Sequence, residues 1–442
     1  MKPRILLINP WIHDFAAFNL WARPLGLLKV AEYLSAFDAD LLFIDCTDSF
    51  EPNVFGIGKY QSETIPKPDL LRAMPRYYKR YGISVPDFRS RLKSLMPFDV
   101  ILMTSIMTYW YPGVQETIRL VRKTAGSVPV VLGGIYPSLY PEHALKNTGA
   151  DRIHAGQVGQ GLIKLFQELG LMLGRRRDPA PYHTLGFLSR HTSAPLLTST
   201  GCPYRCSYCA SKILFPAYER RPVMAILEEV RQLFTLGIRD FAFYDDALLY
   251  QTDSHIKPLL EGVIRSDLRL RLHAPNGMHA RFIDPELAGL MRKAGFATIR
   301  LGLETIDPAR QEETGGKVGT PDFERAVGHL KRTGFTKEQI GAYLLYGLPC
   351  QGLEEVEKGV DFLKRLGVRI HLAEFSPMRG TASWADLVQR SVIPDDLDPL
   401  LTNNTVFSYL YSGYDRDSVD KMKIAVKKYN LQHEEGTGYN RI

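Results

Sequence analysis

Five cysteines in 442 residues are too few for a disulfide scaffold, which secreted mini-domains build from dense, paired cysteines. No apolar run approaches the roughly 18 residues a membrane helix requires. The opening MKPRILLINPW carries charge and enters a strand pattern at once. It has no secretory-leader layout, so a cytoplasmic protein is expected. The composition is 45% hydrophobic, 11% aromatic and 23% charged, which excludes a disordered or collagen-like chain. At about 150 residues per domain the length suggests roughly three units, or two if one is a barrel.

The net charge is +7, and much of it is local. Between positions 72 and 93, Arg72, Arg76, Lys79, Arg80, Arg89, Arg91 and Lys93 stand against one acid, Asp87. A diffuse excess would suggest nucleic acid. A single basic segment suggests a local anionic partner or a solvated face.

The first 170 residues alternate short apolar runs with helical spacing. RILLINP (4–10), ADLLFIDC (39–46), FDVILMTS (98–105), VPVVLGG (128–134) and ADRIHAG (150–156) read as strands buried on both faces. Such runs, separated by helices, indicate a parallel sheet. The expected fold is α/β, beginning with a doubly wound, Rossmann- or flavodoxin-like domain over 1–171. Its ligands would bind at the carboxyl ends of the strands. Residues 49–97, with six prolines and RYYKRYG (76–82), read as a partly helical insertion. A linker is expected over 172–195. Alternation then resumes as six strand–helix repeats over 196–385, the pattern of a partial (β/α)6 barrel of the TIM type. Residues 386–442 read as a short helical region.

The cysteines divide unevenly. Cys46 and Cys350 stand alone, whereas Cys202, Cys206 and Cys209 fall in TSTGCPYRCSYCA (198–210). The spacing is C-x3-C-x2-C, placed directly after a predicted strand. Three thiolates on one loop suit a soft metal or an iron–sulfur cluster. Three rather than four leaves a coordination position open for reaction. A structural zinc loop completed by a distant histidine is the alternative reading.

This cysteine string, with Tyr208 before its last member, resembles that of the radical S-adenosylmethionine superfamily. The resemblance continues through YDDALL (244–249), HAPNGMHAR (273–281), LGLET (301–305), YGLPCQG (346–352) and SPMRGT (376–381). It implies that Cys202, Cys206 and Cys209 hold a [4Fe–4S] cluster. It also implies that S-adenosylmethionine is reductively cleaved there to a 5′-deoxyadenosyl radical, with electrons from a donor such as flavodoxin or ferredoxin. By the same resemblance the Tyr208 backbone faces adenine, Glu304 meets the ribose, and Asp245 or Asp246 meets the methionine amino group, with Asn276 of similar standing. The family's second strand usually ends in a glycine-rich string with a glutamate, and here that string is YDD. Gly347 and Pro349 are read as turn formers.

The first domain resembles the cobalamin-binding domain fused to many such enzymes. Ser105-Ile106-Met107 followed after 25 residues by Gly133-Gly134 matches the family's nucleotide-loop signature, which makes Ser105, Gly133 and Gly134 candidate cobalamin contacts. The Asp-x-His-x-x-Gly loop that delivers a lower histidine ligand is absent. His13 stands in its region without the flanking residues, so no histidine ligand to cobalt is expected. GQVGQG (156–161) reads as a turn, and Tyr109-Trp110-Tyr111 as either a ligand face or interface packing. The resemblance implies cobalamin-dependent methyl transfer or related radical chemistry on an unidentified, small-molecule or other, substrate. A cobalamin-free radical enzyme and a nucleic-acid-binding iron–sulfur protein using the basic insertion are the alternatives. The basic residues lack the paired sheet aromatics of RNA-binding modules, which disfavours the last. No catalytic acid or base is identifiable.

Overall fold

The structure, a computed structural model, describes residues 2–53, 55–188 and 192–432. The chain divides into two compact units. The first takes most of the residues up to 190 together with Leu397–Asn403. The second takes 191–396 and 404 onward, with a short piece around Phe55. No helix among the described residues is long and apolar enough to cross a membrane.

Five strands form the sheet of the first unit: β1 (Arg4–Asn9), β2 (Asp40–Asp45), β3 (Val100–Ser105), β4 (Val130–Gly134) and β5 (Arg152–His154). All neighbours are parallel and the order is β5-β4-β3-β1-β2. This is the flavodoxin-like doubly wound order, with its switch point between β1 and β3. Ile5 to Ile8 have no exposed surface, as strands covered on both faces must. Helices α1 (Leu25–Leu34) and α5 (Gln160–Glu168) pack Leu34, Leu162 and Phe166 onto Ile5, Leu102 and Val131. Three more helices, α2 (Val85–Leu95), α3 (Tyr111–Ala125) and α4 (Pro141–Thr148), complete the crossovers.

The 49–97 interruption resolves into two different things. Helix α2 is the crossover between β2 and β3. It is started by the Ser84 side chain, which accepts from Asp87 N, and by Pro86 in the first turn. The remainder contributes to two small antiparallel sheets. One joins Ile12–Asp14, Lys79–Tyr81 and Ser62–Thr64; the other joins Phe18–Asn19, Gly58–Tyr60 and Phe50–Pro52. RYYKRYG is therefore partly strand, not helix. Residues 172–188 of the expected linker lie on the first unit: Arg175 bridges to Phe37, and Phe187 stacks on Phe43 at 4.8 Å.

The second unit is a six-stranded parallel sheet in sequential order: β6 (Ser193–Leu196), β7 (Asp240–Phe243), β8 (Arg271–Met278), β9 (Phe296–Glu304), β10 (Ile340–Tyr346) and β11 (Arg369–Glu374). Helices α6 (Val223–Thr235), α7 (Ile256–Arg265), α8 (Pro285–Lys293), α9 (Thr320–Arg332) and α10 (Leu353–Arg365) link successive strands. This is the expected partial barrel, with β6 and β11 unpaired to one another among the described residues. A buried cluster anchors its amino end, where Asp240 accepts from Arg271 Nε at 2.6 Å and lies 2.9 Å from His273 Nε2. A terminal helix, α11 (Arg416–Leu431), covers the edge of β11. There the Asn430 amide pairs with both backbone groups of Ile370, at 3.0 and 2.8 Å, which blunts an otherwise open strand edge.

Candidate functional site

The loop leaving β6 carries the three clustered cysteines. Cys202 is buried, Cys206 half-buried and Cys209 exposed. The turn between the last two closes through Cys209 N–H donating to Cys206 O at 3.1 Å. Gly315 (φ +113°) lies so close to the loop that a Cβ there would sit 3.1 Å from Cys206 Cα, so only glycine suits both conformation and space. Burial pushes the Cys206 thiol up to about 11 and raises that of Cys202, with the Lys317 ammonium pulling both the other way. Such thiols ionise when a metal takes the proton's place.

Lys317 was not among the residues singled out by sequence. It reaches the site from the loop after β9, and its Nζ lies 3.4 Å from Glu304 Oε1. Gly302 makes room for the pair, since a Cβ there would meet Glu304 Oε1 at 2.7 Å and Lys317 Nζ at 2.9 Å. Glu304 adopts φ +66° at a bulge in β9. Its charge and that of Cys206 both raise the Tyr208 phenol, after burial itself. A half-buried cation beside three thiols fits an anionic cluster. Among the described residues no three ligand side chains close on one ion; a cubane gives each cysteine a separate iron and asks for no such closure.

Asp246 faces the same loop. It accepts from Ser211 Oγ at 2.5 Å, and its charge raises the Cys202 thiol. Asp245 and Asn276, also expected at the cofactor, border the same small cleft, and Asn276 Nδ2 donates to Asp245 O at 3.4 Å. Asp245 is 3% exposed, and its carboxylate lies under Thr198 and Ser199. Asn276 stands in a small cleft at the ends of β7 and β8 with Asp246, Met278 and His279. His279 is a second residue that sequence reasoning passed over, although it lies inside HAPNGMHAR. Its ring packs 4.4 Å from that of Tyr204 in the cysteine loop, and its buried Nδ1 has no hydrogen-bond partner. Burial, with Lys317 and Arg281 nearby, lowers it to about 2, so it stays neutral.

The two remaining cysteines lie elsewhere. Cys46 is buried behind β2. Cys350, in the loop after β10, is exposed; its Sγ contacts Arg390 Nη1 at 2.8 Å and its carbonyl accepts from Arg310. In the same loop Gly347 takes a turn with φ +86°, and Pro349 O accepts from Arg310 Nη1 at 3.1 Å.

In the first unit the carboxyl ends of β3 and β4 meet at Ser105, Gly133 and Gly134. Gly134 has φ +100°, and a Cβ there would lie 2.5 Å from Ser105 O. Ser138 ties this strand end to the next loop, donating to Gly134 O at 2.8 Å and accepting from Gly156 N at 3.1 Å. GQVGQG is thus the turn that leads into α5. Gly134 is exposed, and Ile106 and Met107 beside it are 37% and 39% exposed. Bare backbone with exposed apolar side chains suits a flat, partly apolar ligand such as cobalamin.

His13 is 5% exposed with Nε2 2.9 Å from Glu116 Oε2. Arg80 donates to the other Glu116 oxygen at 2.8 Å, also pairs with Glu63, and lies over the Trp11 ring. Arg80 is therefore committed internally and is not part of a free anion-binding surface. Arg89 and Lys93 lie exposed on α2, as on an ordinary solvated helix face. Tyr109 and Tyr111 are buried in the first unit's packing. The Tyr111 hydroxyl donates to Asp398 at 3.2 Å, and Trp110 Nε1 to Asp14 at 2.7 Å.

Comparison with known proteins identifies two domains. The radical SAM superfamily model matches residues 196–363, and the B12-binding domain model matches residues 78–161. An uncharacterized methyltransferase of Pyrococcus horikoshii is 26% identical over 348 residues, 70% of this chain and 74% of that protein. The hopanoid C-2 methylase of Rhodopseudomonas palustris is 28% identical over 41% of this chain and 37% of its own. The bacteriochlorophyllide d C-12(1)-methyltransferase of Chlorobaculum tepidum is 23% identical over 61% of each. The chain thus spans less than two thirds of the last two. Among solved structures, the radical S-adenosylmethionine methyltransferase TsrM from Kitasatospora setae superposes with TM-score 0.65 at 19% identity, covering 88% of this chain and 76% of its own. The cobalamin-dependent radical enzyme OxsB gives TM-score 0.56 at 13% identity over 97% and 61%. Both likenesses are of fold. The chain thus carries a radical SAM domain with the three-cysteine loop and, ahead of it in sequence, a doubly wound B12-binding domain.

Proposed function

We propose that this protein methylates a carbon atom of an organic substrate, using S-adenosylmethionine, a [4Fe–4S] cluster and cobalamin. The carrying observation is the pairing, on one chain, of a three-cysteine loop backed by a half-buried lysine with a bare Gly-Gly strand end on a doubly wound sheet. Three relatives point the same way, since the hopanoid methylase, the bacteriochlorophyllide methyltransferase and the tryptophan 2-C-methyltransferase of Streptomyces laurentii are all named for methylation at carbon. When bound, the cluster with S-adenosylmethionine supplies a carbon radical, and cobalamin supplies the methyl group.

The chain's own residues divide the remaining work. Cys202, Cys206 and Cys209 hold the cluster. Asp246 and Asn276 orient the methionine end of S-adenosylmethionine from the ends of β7 and β8. Glu304 binds the ribose, and the Tyr208 backbone lies against adenine. Lys317 offsets negative charge gathered at the thiolates. Ser105, Gly133 and Gly134 present backbone and hydroxyl to cobalamin. His13, committed to Glu116, stays off the metal. A low-potential donor of the flavodoxin or ferredoxin kind delivers electrons, which places the enzyme in the reducing cytoplasm.

The test is anaerobic reconstitution followed by incubation with S-adenosylmethionine and a strong reductant. Formation of both 5′-deoxyadenosine and S-adenosylhomocysteine supports methyl transfer. The first product alone, or loaded protein without the visible bands of cobalamin, overturns it in favour of cobalamin-free radical chemistry.

A further inference from the structure

In the segment entering the cysteine loop, Thr198 and Ser199 are buried. Asp245 lies beneath it. Thr198 N–H donates to both Asp245 oxygens at 3.1 Å, and Ser199 N–H to Oδ1 at 2.6 Å. The hydroxyls of Thr198 and Ser199 each donate to Oδ1 at 2.6 Å. From the other side, Arg221 takes the carbonyls: its N–H donates to Thr198 O at 2.9 Å and its guanidinium to Leu197 O at 2.7 Å. His255 completes the set with Nε2 2.8 Å from Thr198 Oγ1. The threonine hydroxyl has one proton and gives it to Asp245. It therefore accepts from His255, whose proton sits on Nε2.

We infer that Asp245 is a positioning residue. With Thr198, Ser199 and His255 it fixes the path by which the chain leaves β6 for Cys202, and it does not touch S-adenosylmethionine. Four donors from two adjacent residues converge on Oδ1 of a carboxylate that is 3% exposed, and Oδ2 shares the Thr198 N–H, so the group is committed to the backbone and hydroxyls of the loop itself. Burial raises this carboxyl above the ordinary carboxylate range, and the donors from Ser199 and Thr198 offset part of that rise. The neighbouring Asp246 accepts from Ser211, and its charge acts on the Cys202 and Cys209 thiols. Adjacent aspartates thus divide the work, one aligning the loop and the other meeting the cofactor.

The inference rests on the cluster assignment in the proposed function, and the experiment keeps the two apart. Full-length protein is reconstituted anaerobically as wild type, Asp245→Asn, Thr198→Val and Asp246→Asn. Iron per chain, the low-temperature electron paramagnetic resonance spectrum of the reduced cluster, and the dissociation constant for S-adenosylmethionine by equilibrium dialysis are measured for each. Asp245→Asn removes the charge that draws four donors to Oδ1 and sets an amide N–H₂ against the Thr198 N–H that Oδ2 shares. It should lose at least half of the bound iron and alter the spectrum of what remains. Thr198→Val, which removes one hydroxyl from the same clamp, should alter the spectrum in the same sense. In the loaded fraction of both, S-adenosylmethionine affinity should stay within about twofold of wild type, whereas Asp246→Asn should keep the iron and weaken binding about tenfold. An Asp245→Asn protein with full iron, an unchanged spectrum and tenfold weaker binding overturns the inference. So does an unaltered spectrum in Thr198→Val, which decides the matter if Asp245→Asn does not fold. Wild type that takes up no cluster overturns the underlying functional reading instead.

Discussion

Glu304 holds φ +66°, a conformation that costs a non-glycine residue on the order of 1 kcal/mol and is kept where the surroundings impose it. What imposes it is Lys317, whose pairing with Glu304 is accommodated by the missing side chain of Gly302. The two charges have opposite effects on a nearby cluster. Replacing Lys317 by Met removes a positive charge, so the cluster becomes harder to reduce and its midpoint potential falls. Glu304→Gln raises it. Potentiometric titration followed by paramagnetic resonance reads both, and equal shifts of the same sign would refute the electrostatic account. Alanine at Cys202, Cys206 or Cys209 should abolish the brown chromophore, and alanine at Cys46 or Cys350 should leave it. Loss in Cys350→Ala would bring that loop into the ligand set. Spacing made the three cysteines legible. Lys317, His279 and the true setting of Asp245 were not, because each depends on a partner 11 or more residues away in sequence.

Strands and helices were read more fully than the residues between them. RILLIN and VILMTS hold four consecutive apolar residues each because both faces of β1 and β3 are covered, and their shortness favours a buried strand over a helix. The 49–97 stretch defeated the same reasoning. Its strands are three residues long, too short for period-two alternation to register, and α2 is preceded by prolines that looked like loop. At the ends of β3 and β4, Gly134→Ala would set a methyl group 2.5 Å from Ser105 O. Cobalamin uptake, followed by its visible absorption, should drop severalfold while cluster content stays intact. In the strand 12–14, His13 is tied to Glu116. The cob(II)alamin spectrum should therefore show no nitrogen triplet that His13→Ala removes. Glu116 carries its own pH signature. Burial raises its carboxyl, but His13 and Arg80 outweigh that and hold it at about 2 against an ordinary 4.5. Its contribution is full above pH 4.5 and is lost as pH falls toward 2, since the unfolded chain takes the proton first. In Glu116→Gln the decline of the urea midpoint across that window should flatten.

At the scale of the whole molecule, the two-unit organisation follows from the patterns, whereas the return of residues 397–403 to the first unit does not. That stretch is seven residues with no periodicity and no motif, and its role lies wholly in long-range contacts. Asn403 donates to Asp14 at 2.9 Å, Thr402 meets Thr108, and Asp398 accepts from Tyr111 while facing His143 at 3.4 Å. His143 is in turn 2.7 Å from the Tyr136 hydroxyl. Asp398→Ala removes charge-assisted hydrogen bonds worth about 1.5–3 kcal/mol. It should speed proteolysis of the first unit and leave that of the second unchanged.

The same returning segment imposes an order on biosynthesis. Domains near the amino terminus ordinarily finish folding while the rest of the chain is still being made. Here Asp14, Tyr111 and Thr108 wait for partners encoded almost 300 residues or more downstream. The ribosome must deliver the entire barrel before the first unit has all of its contacts. A nascent chain stalled at residue 390 would thus display a sheet already paired but still unsealed at Tyr111 and Asp14. The arrival of residues 397–403, rather than of the first 170, marks the moment the first unit becomes complete.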